Sequence, residues 1–280
     1  MSTMNGGRIT GWMLAAVAAV LVPATAIGAD DARRTTSHAE DFAWSGRIAA
    51  GRTIEIKGVN GGIVAEPARG SEVEVTAVKH WRKSRPEDVR IEVVPHDGGV
   101  TICTVYPTPA GEPENRCESG DGGHMSTRDN DVSVDYRVRV PAGVRLIART
   151  VNGAISARDL GGDAEAATVN GDVRVATRGV AAATTVNGSI DVEMGRAIDE
   201  PTEFTTVNGG ITLSMPADLA ANLQASTLNG SIASDYELNQ VRGSTGRPGR
   251  RHRLSGTIGR GGPALTVTTV NGDIRLHSGS

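Results

Sequence analysis

The sequence predicts an all-β fold: a β-solenoid, or β-helix-like stack, of repeats about 17–21 residues long. A motif close to Thr-Val-Asn-Gly-x-Ile occurs seven times, at nearly regular intervals from its second copy onward. Aromatic residues make up only 3% of the chain and glycine contributes 36 positions, which favours a thin core of stacked strands. The expected corners of the repeats are Asn60-Gly61, Asn152-Gly153, Asn170-Gly171, Asn187-Gly188, Asn208-Gly209, Asn229-Gly230 and Asn271-Gly272.

The side-chain parity changes within each motif. Counting from the Asn, apolar residues fall at −1, +3 and often +5, as at Val186, Ile190 and Val192, whereas before the motif they fall at −4 and often −6. A straight strand would keep one parity because its side chains alternate between faces, so the chain must turn a corner or carry a bulge here. Asn and Gly tolerate positive φ, which we take as the reason for their recurrence.

Two architectures can use such a corner. In a meander, each Asn-Gly pair would be the tip of a type I′ hairpin. In a solenoid, each pair would be the corner of a coil, and equivalent residues would stack about 4.8 Å apart. The near-constant period favours the solenoid, in which stacked Asn side chains would exchange amide hydrogen bonds along a ladder.

The N-terminal segment, residues 1–40, has the composition of an export signal and a leader. Arg8 provides a positive flank, residues 12–22 are apolar and residues 24–29 are small, so we predict a signal peptide at 1–29 and a flexible leader at 30–40. An uncleaved anchor helix is the alternative, although the apolar run is short for a bilayer. With no later apolar segment long enough to span one, we expect an exported protein of the periplasm, cell envelope or extracellular space, without a transmembrane segment after signal removal.

Residues 41–149 form the predicted N-terminal β region, a half-solvated sheet layer continuous with the repeats. Residues 132–140 alternate apolar and polar side chains without a break, which is the clearest strand pattern in the chain. The loop 103–131 is rich in Pro, Gly and acidic residues and contains the only two cysteines. We predict a Cys103–Cys117 disulfide, because an exported chain meets oxidising conditions; two free thiols or part of a metal site are the alternatives.

Residues 150–276 are the predicted repeat region. The last interval between motifs, from Asn229 to Asn271, is twice as long as the one before it and indicates an insertion, whose centre at 241–253 is a basic Gly/Pro-rich loop. Residues 254–259 then resemble a degenerate repeat, since Gly256 and Ile258 keep the Gly-x-Ile spacing. The final repeat ends almost at the C-terminus.

Catalytic signatures are missing from the sequence, which has neither a Gly-x-Ser-x-Gly elbow, nor a phosphate loop with Gly-Lys-Ser/Thr, nor a His-Glu-x-x-His motif. We therefore expect no enzyme, no catalytic residue, no metal and no cofactor. Calcium at the acidic loop and zinc at the cysteines are alternatives whose residue spacing fits poorly; their candidate ligands are Glu118, Asp121, Asp129, Asn130 and Asp131 for calcium and Cys103, Cys117 and His124 for zinc.

Two basic clusters could contact anionic polymers or lipid headgroups, although solvated loops would show the same composition. The net charge of −3 argues against nucleic acid as the main partner, so we expect none. The residues predicted for an anion or envelope contact are Lys79, Trp81, Arg82, Arg250, Arg251 and Arg253.

These repeats resemble those of a bacterial family of exported β-strand-repeat proteins of unknown function that carry the label putative adhesin. The resemblance rests on the Thr-Val-Asn-Gly-x-Ile units, on residues 136–143 leading into the motif at 150–153, and on residues 255–259 followed by 269–274. It extends roughly over residues 41–276. The resemblance implies an all-β, solenoid-like fold and a surface or envelope location, and it transfers no catalytic residue.

The combined prediction is a non-enzymatic exported cell-envelope protein, an adhesin-like binding or structural module that presents polar Thr/Asn ladders. Its expected partner is an envelope polymer or a surface protein, and open terminal coils would permit self-association. One alternative is an envelope-stress or regulatory component that binds a membrane partner. The other is a polysaccharide-active β-helix enzyme, which would need a pair of carboxylates converging in a groove.

Overall fold

A computed structural model describes residues 39–244 and 252–279 of the chain. The predicted signal peptide and nearly all of the predicted leader lie outside the described residues. So do Arg250 and Arg251 of the second basic cluster.

The regular secondary structure of the described chain consists of strands, apart from one short 3-10 helix at Pro86–Asp88. The strands are β1 (Ala39–Gly46), β2 (Thr53–Lys57), β3 (Ile63–Pro67), β4 (Val73–His80), β5 (Arg90–His96), β6 (Gly99–Val105), β7 (Ser133–Val140), β8 (Arg145–Arg149), β9 (Ile155–Leu160), β10 (Ala164–Ala167), β11 (Val173–Thr177), β12 (Ala181–Thr184), β13 (Ile190–Met194), β14 (Thr202–Thr205), β15 (Ile211–Met215), β16 (Ala221–Thr227), β17 (Ile232–Ser234), β18 (Leu238–Ser244), β19 (His252–Ile258), β20 (Ala264–Thr268) and β21 (Ile274–Ser278).

These strands form two sheets. Sheet A has ten strands in the order β1-β4-β7-β3-β9-β11-β13-β15-β21-β17. Sheet B has eleven, in the order β18-β19-β16-β20-β14-β12-β10-β8-β2-β6-β5. Each coil places one strand in sheet B, passes through an Asn-Gly corner and places its next strand in sheet A. Successive coils pair in parallel, for example β10 with β12 and β11 with β13, so the predicted β-solenoid is confirmed and the hairpin meander is excluded.

The core lies between the inner faces of the two sheets. In sheet A, the residues three positions after each corner Asn stack in register, as in Val173, Ile190, Ile211 and Ile274, and all four are fully buried. Sheet B contributes smaller side chains such as Ala166 and Ala183, together with the buried Phe204. Full burial of one large aliphatic side chain stabilises the fold by about 1.5–3 kcal/mol, so the stacked rows hold the coils together.

Both ends of the parallel stack are closed by antiparallel strands. At one end, β4 pairs with β7, and β5 pairs with β6. At the other end, β19 runs antiparallel to β16, and β18 pairs with β19. The prediction of a degenerate repeat at residues 254–259 is therefore wrong: the segment lies mostly in β19, where it pairs antiparallel to its neighbour and forms no corner.

The coils do not stack in sequence order at the C-terminal end. The last coil, β20 and β21, lies between the coil of β14 and β15 and the coil of β16 and β17. The corner asparagines therefore follow the spatial order 60, 152, 170, 187, 208, 271, 229. At the other end, Asn60 joins the stack directly beside Asn152, although 92 residues separate them. Neither rearrangement is visible in the spacing of the motifs.

Candidate functional site

The seven corner asparagines form one continuous ladder along an edge of the solenoid. Each Nδ2 donates to the Oδ1 of the Asn in the neighbouring coil, as between Asn152 and Asn60, and between Asn170 and Asn152, both at 2.8 Å. The last step, from Asn229 to Asn271, measures 2.7 Å. These side chains are exposed, but their amides are largely occupied by one another. The ladder therefore ties coils together more than it offers hydrogen bonds to a ligand.

Six of the seven corners have a threonine two positions before the Asn, and its hydroxyl is also occupied within the fold. The hydroxyl of Thr168 donates to the Gly153 carbonyl at 2.9 Å, and Thr206 donates to Gly188 at 2.8 Å. Both side chains are buried. The predicted surface of Thr and Asn ladders thus has its Thr component inside the corner, where it satisfies backbone carbonyls of the preceding coil.

The corner glycines are needed because neighbouring backbones approach closely. A Cβ on Gly188 would lie 2.0 Å from the carbonyl oxygen of Gly171, and a Cβ on Gly209 would lie 2.0 Å from that of Gly188. Among the seven corners, only Gly61 has a positive φ, at 121°, and none of the asparagines does. Our explanation of the motif by positive φ is therefore wrong for six corners. Glycine is required there because the backbones of neighbouring coils touch, and asparagine recurs because its side chain bonds the Asn of the next coil.

An apolar row runs beside the Asn ladder, formed by the residue before each Asn. Val151, Val169 and Val186 are each 37% exposed and Leu228 is 39% exposed. The −1 residue therefore marks the outer side of the corner in these four coils, whereas Val59, at 9% exposure, belongs to the core. The parity change is real, because the backbone turns between the buried Thr and the inward residue at +3.

The predicted disulfide is confirmed: Cys103 and Cys117 are bonded, with their Cα atoms 5.7 Å apart. It attaches the long loop after β6 to the outer face of sheet B. Asn115 organises the same loop, since its amide donates to the carbonyls of Tyr106 and Ser126, and its Oδ1 accepts from the Ser126 N–H. In an oxidising compartment the bridge contributes about 3 kcal/mol in the chain-entropy model for a loop of this length.

Beneath this loop lies a buried charge network. Glu55 is 2% exposed and accepts hydrogen bonds from the Thr101 hydroxyl at 2.8 Å and the Gly120 N–H at 3.0 Å. The Arg149 guanidinium lies 3.8 Å from Glu55 and bonds Asp121 at 2.6 Å. Burial opposes the charge on Arg149, but its carboxylate neighbours outweigh burial and raise its pKa. The hydrogen bond from Arg149 lowers the pKa of Asp121 below its usual range.

The same loop accounts for the residues considered as metal ligands. The Lys57 ammonium donates to the backbone carbonyls of Glu118, Gly120 and Gly122 at 2.6, 2.5 and 3.1 Å, so it occupies the place where the loop turns its oxygens inward. Asp131 accepts from the N–H groups of Lys83 and Ser84. Over residues 39–244 and 252–279, no group of three or more His, Cys, Asp or Glu side chains is placed to hold a metal ion.

In the first basic cluster, two of the three predicted contact residues pack into the fold. Lys79 is 7% exposed and donates to the Pro86 carbonyl at 3.2 Å, and Trp81 is half-buried against the core. Only Arg82 of the three predicted contact residues is fully exposed. Of the second cluster, Arg253 is described: it is exposed on β19, at the opposite end of the solenoid. The structure therefore does not bring the two predicted basic sites together.

The outer faces of the two sheets differ in their chemistry. On sheet A, arginines pair with carboxylates on the same or the neighbouring strand, including Arg137 with Glu66, Arg139 with Glu74 and Arg275 with Asp273. On sheet B, such pairs are confined to the half near the disulfide loop, where Glu165 is held by Arg145 and Arg149 at 3.1 Å each. In the other half, β20 and β16 present neutral polar side chains, with Glu203 of β14 on one flank and Arg253 of β19 on the other.

A groove of about 310 Å³ lies on sheet B over the small side chains of β10 and β12. Glu165 and Glu203 both line it, and two strand spacings separate their strands, about 9.5 Å. Arg145 and Arg149 both form ion pairs with Glu165. Glu203 accepts a hydrogen bond from Thr205 at 2.7 Å. Five carboxylates line the groove: Glu165, Asp163 and Asp199 pair with arginines, whereas Glu200 and Glu203 have no ion pair within the described residues.

Beyond this groove, the outer side of sheet B carries a row of hydroxyls, one from each of four adjacent strands. In spatial order the hydroxyl row is Thr184, Thr205, Thr268 and Ser226. The antiparallel register places Arg253 directly beside Ser226, so the row ends in a guanidinium. Sequence reasoning missed this row. Its signal is the pair of hydroxyl residues before four of the corners, as in Thr205-Thr206, in which the second side chain points inward and the first outward.

The geometry defines a class of protein: a two-sheet parallel β-solenoid with antiparallel cap strands, a corner edge whose side chains bond one another, and a patch of neutral polar side chains on the outer side of sheet B. Residues 149–277 match the family described as Toastrack DUF4097. The repeat region therefore matches the Toastrack family, whose function is unknown, and the family resemblance read from the repeats is confirmed over these residues.

Solved structures with adhesin names are similar to the chain. One is a putative cell adhesion protein from Clostridium sporogenes ATCC 15579, at 10% identity over 86% of this chain and 100% of that chain, with a TM-score of 0.42. Another is a putative adhesin from Bacteroides fragilis NCTC 9343, at 10% identity over 85% of this chain and 97% of that chain, with a TM-score of 0.38. No curated protein matches the sequence. At these TM-scores and identities, the solved structures add nothing to the fold that the strand pairing establishes.

Proposed function

We propose that the chain is a non-enzymatic exported module of the cell envelope that binds an envelope polymer or surface protein, in the manner of an adhesin. The observation that carries this proposal is the neutral polar surface of β20 and β16 on sheet B, with the hydroxyl row and the adjacent side chains Thr266 and Gln224. The corner Thr and Asn side chains are occupied within the stack, so this outer face replaces them as the binding surface.

The chemistry of the groove supports a role without catalysis. A general acid needs a carboxyl whose pKa is raised, and such a group is usually buried away from cations. Glu165 instead lies between Arg145 and Arg149, each 3.1 Å from its carboxylate. Glycoside cleavage would also need a carboxyl in the proton-donating role, and the two carboxyls of the groove without an ion pair in the described chain, Glu200 and Glu203, are exposed to solvent.

Export is supported by the N-terminal sequence and by the disulfide, which persists in oxidising compartments. Within the part of the chain that the structure describes, no helix is long and apolar enough to cross a bilayer. Self-association stays a prediction: β1 and β5 are the edge strands at one end and β17 and β18 at the other, and each edge leaves backbone groups for a further strand.

The proposal is tested by co-sedimentation of the purified mature chain, from about residue 30, with isolated cell envelopes over a salt series. We expect saturable binding that falls at least fivefold in Thr268→Glu, because a carboxylate and added bulk then interrupt the hydroxyl row. The matched control is Thr212→Glu, which places the same change on the outer side of β15 in sheet A.

Binding that the two variants weaken equally would assign the contact to charge alone and would contradict the proposed face. An absence of binding at every salt concentration, in both oxidising and reducing buffer, would overturn the envelope role. Far-UV circular dichroism of both variants checks that the β-solenoid is retained.

A further inference from the structure

A cavity of about 440 Å³ opens on the outer side of sheet B, where the β18–β19 cap meets the last coils. Its volume is within the range of small-ligand sites, about 300–1,000 Å³. Apart from backbone and two inward apolar residues, it is lined by amides, hydroxyls and one cation: Asn222, Gln224, Ser226, Gln240, Arg253, Ser255, Thr257, Thr266 and Thr268. No aromatic side chain is among the residues that line it, so recognition there would use hydrogen bonds and charge.

Most of these polar groups have no partner in the described parts of the chain. Gln224, Ser226, Thr266 and Thr268 make no side-chain hydrogen bond within residues 39–244 and 252–279. By contrast, Lys57, on a strand near the other end of sheet B, makes three hydrogen bonds to backbone carbonyls. The cavity therefore holds donors and acceptors at fixed positions that a ligand can satisfy.

Arg253 gives the cavity its charge. Its side chain is exposed, and among the described residues no carboxylate lies within ion-pair distance. The arginines around the groove over β10 and β12 differ, since Arg145 and Arg149 pair with Glu165, and Arg196 pairs with Asp163 at 2.9 Å. A guanidinium is planar and binds a carboxylate through two parallel hydrogen bonds, so an unpaired one beside neutral donors favours an anionic group on the ligand.

The backbone of the cap is irregular at the same place. Gln240 has a φ of 54°, and the pairing of β18 with β19 shifts register between Asn239 and Arg242. A bulge of this kind redirects a side chain, and Gln240 lines the cavity. Positive φ in a residue other than glycine costs free energy and tends to occur at functional sites.

We infer that this cavity binds an acidic glycan, with a sugar carboxylate on Arg253 and sugar hydroxyls on the amides and hydroxyls of β16, β18 and β20. The inference rests on the proposed envelope-binding function and names its ligand class. The hydroxyl row continues from the cavity across β14 and β12, so further sugar residues of the same chain would lie over Thr205 and Thr184.

The test is calorimetric titration of the mature protein with a galacturonic acid hexamer and with the same hexamer as its methyl ester. We expect the acid to bind at least tenfold more tightly than the ester, because esterification removes the charge that Arg253 would pair with. Arg253→Ala should weaken binding of the acid at least tenfold, and Arg253→Lys should restore only part of it. Arg158→Ala, an exposed arginine of sheet A without an ion pair among the described residues, should leave binding unchanged.

Failure to bind the acid hexamer, equal binding of acid and ester, or an equal loss in Arg158→Ala would each overturn the inference. Envelope binding that depends on Thr268 but not on Arg253, together with no hexamer binding, would leave the proposed function in place and reject this ligand class. Arg253 is exposed on an outer strand, so its removal should not disturb the core, and circular dichroism verifies this.

Discussion

The connections between strands are uniform in length at one edge of the solenoid and variable at the other. At the Asn-Gly edge, the connection between strands is five residues long in most coils, as at 150–154, 168–172, 185–189 and 206–210. At the opposite edge, which we call the return edge, successive connections have three, three, seven and five residues, at 161–163, 178–180, 195–201 and 216–220. The variable period of the sequence therefore arises at the return edge and in the strand ends beside it.

The difference shows where contact between coils constrains the chain. At the Asn-Gly edge, each backbone rests on the backbone of the next coil, so every corner must have the same length and shape. At the return edge, connections can project into solvent. The coil that begins at Asn152 even accommodates an extra residue in β9, where the register against β11 shifts and Asp159 has a φ of 53°. This tolerance explains why the corner asparagines are 18 apart across this coil and 17 apart across the next.

We expect the largest loss of stability from a steric clash at the Asn-Gly edge. In Gly188→Ala, the new Cβ would lie 2.0 Å from the Gly171 oxygen and 2.5 Å from its carbon, so two coils must separate. We expect a loss of about 3 kcal/mol or more in the free energy of unfolding. The matched control is Gly70→Ala, in the connection between β3 and β4, whose Cβ would meet nothing within 4 Å. Urea denaturation followed by circular dichroism measures both, and equal midpoints would refute close packing of the corners.

The second largest loss of stability should come from removing one Asn side chain of the ladder while the corner glycines are kept. Asn170→Ala removes one hydrogen bond to Asn152 and one from Asn187, each 2.8 Å long. Because the site is exposed and water can substitute in part, we expect a loss of about 1–2 kcal/mol. Asn239→Ala, an exposed residue of β18 without a side-chain hydrogen bond in the described regions, is the control. A loss no greater than that of the control would show that the ladder does not stabilise the stack.

We expect the smallest effect on stability from Tyr236, whose contribution at the return edge depends on pH. The Tyr236 hydroxyl donates to the carbonyls of Met215 and Pro216 at 2.7 and 3.0 Å, and burial raises its pKa from 10.0 to about 12. Since the folded state holds the proton more tightly, this stabilisation is complete below pH 10 and is lost as pH rises from 10 to 12. Tyr236→Phe should be about 1 kcal/mol less stable at pH 8 and should show a flatter fall in alkali.

The measurement for this prediction is urea denaturation at pH 8, 10 and 11 for wild type and Tyr236→Phe. Tyr106 and Tyr136 are also buried with raised pKa values, so the difference between the two proteins isolates Tyr236. A constant difference across the three pH values would show that the phenol of Tyr236 does not titrate in this range. The Asn-Gly edge, whose Asn and Gly residues have no titrating side chain, should be insensitive to the same change.

The candidate binding face illustrates the limit of sequence reasoning. The basic residues were visible in the sequence, but Lys79 is buried and Trp81 packs on the core, because their positions on and after β4 direct them into the fold. Arg253 looks like one member of a basic loop, yet its position on β19 beside Ser226 comes from antiparallel pairing with β16. Pairing partners far apart in the chain cannot be inferred from composition.

The sequence by itself determined the repeating unit: a corner with a stacked Asn, a glycine that admits the next backbone and an inward Ile or Val three residues after the Asn. Because that unit is the same in every coil, any coil can stack on any other. Ile274 of the last coil therefore fits between Ile211 and Ile232, the inward residues of two earlier coils. The order of coils was therefore decided only in the tertiary structure, where the β18–β19 cap covers β16 and leaves the slot beside β14 for the last coil.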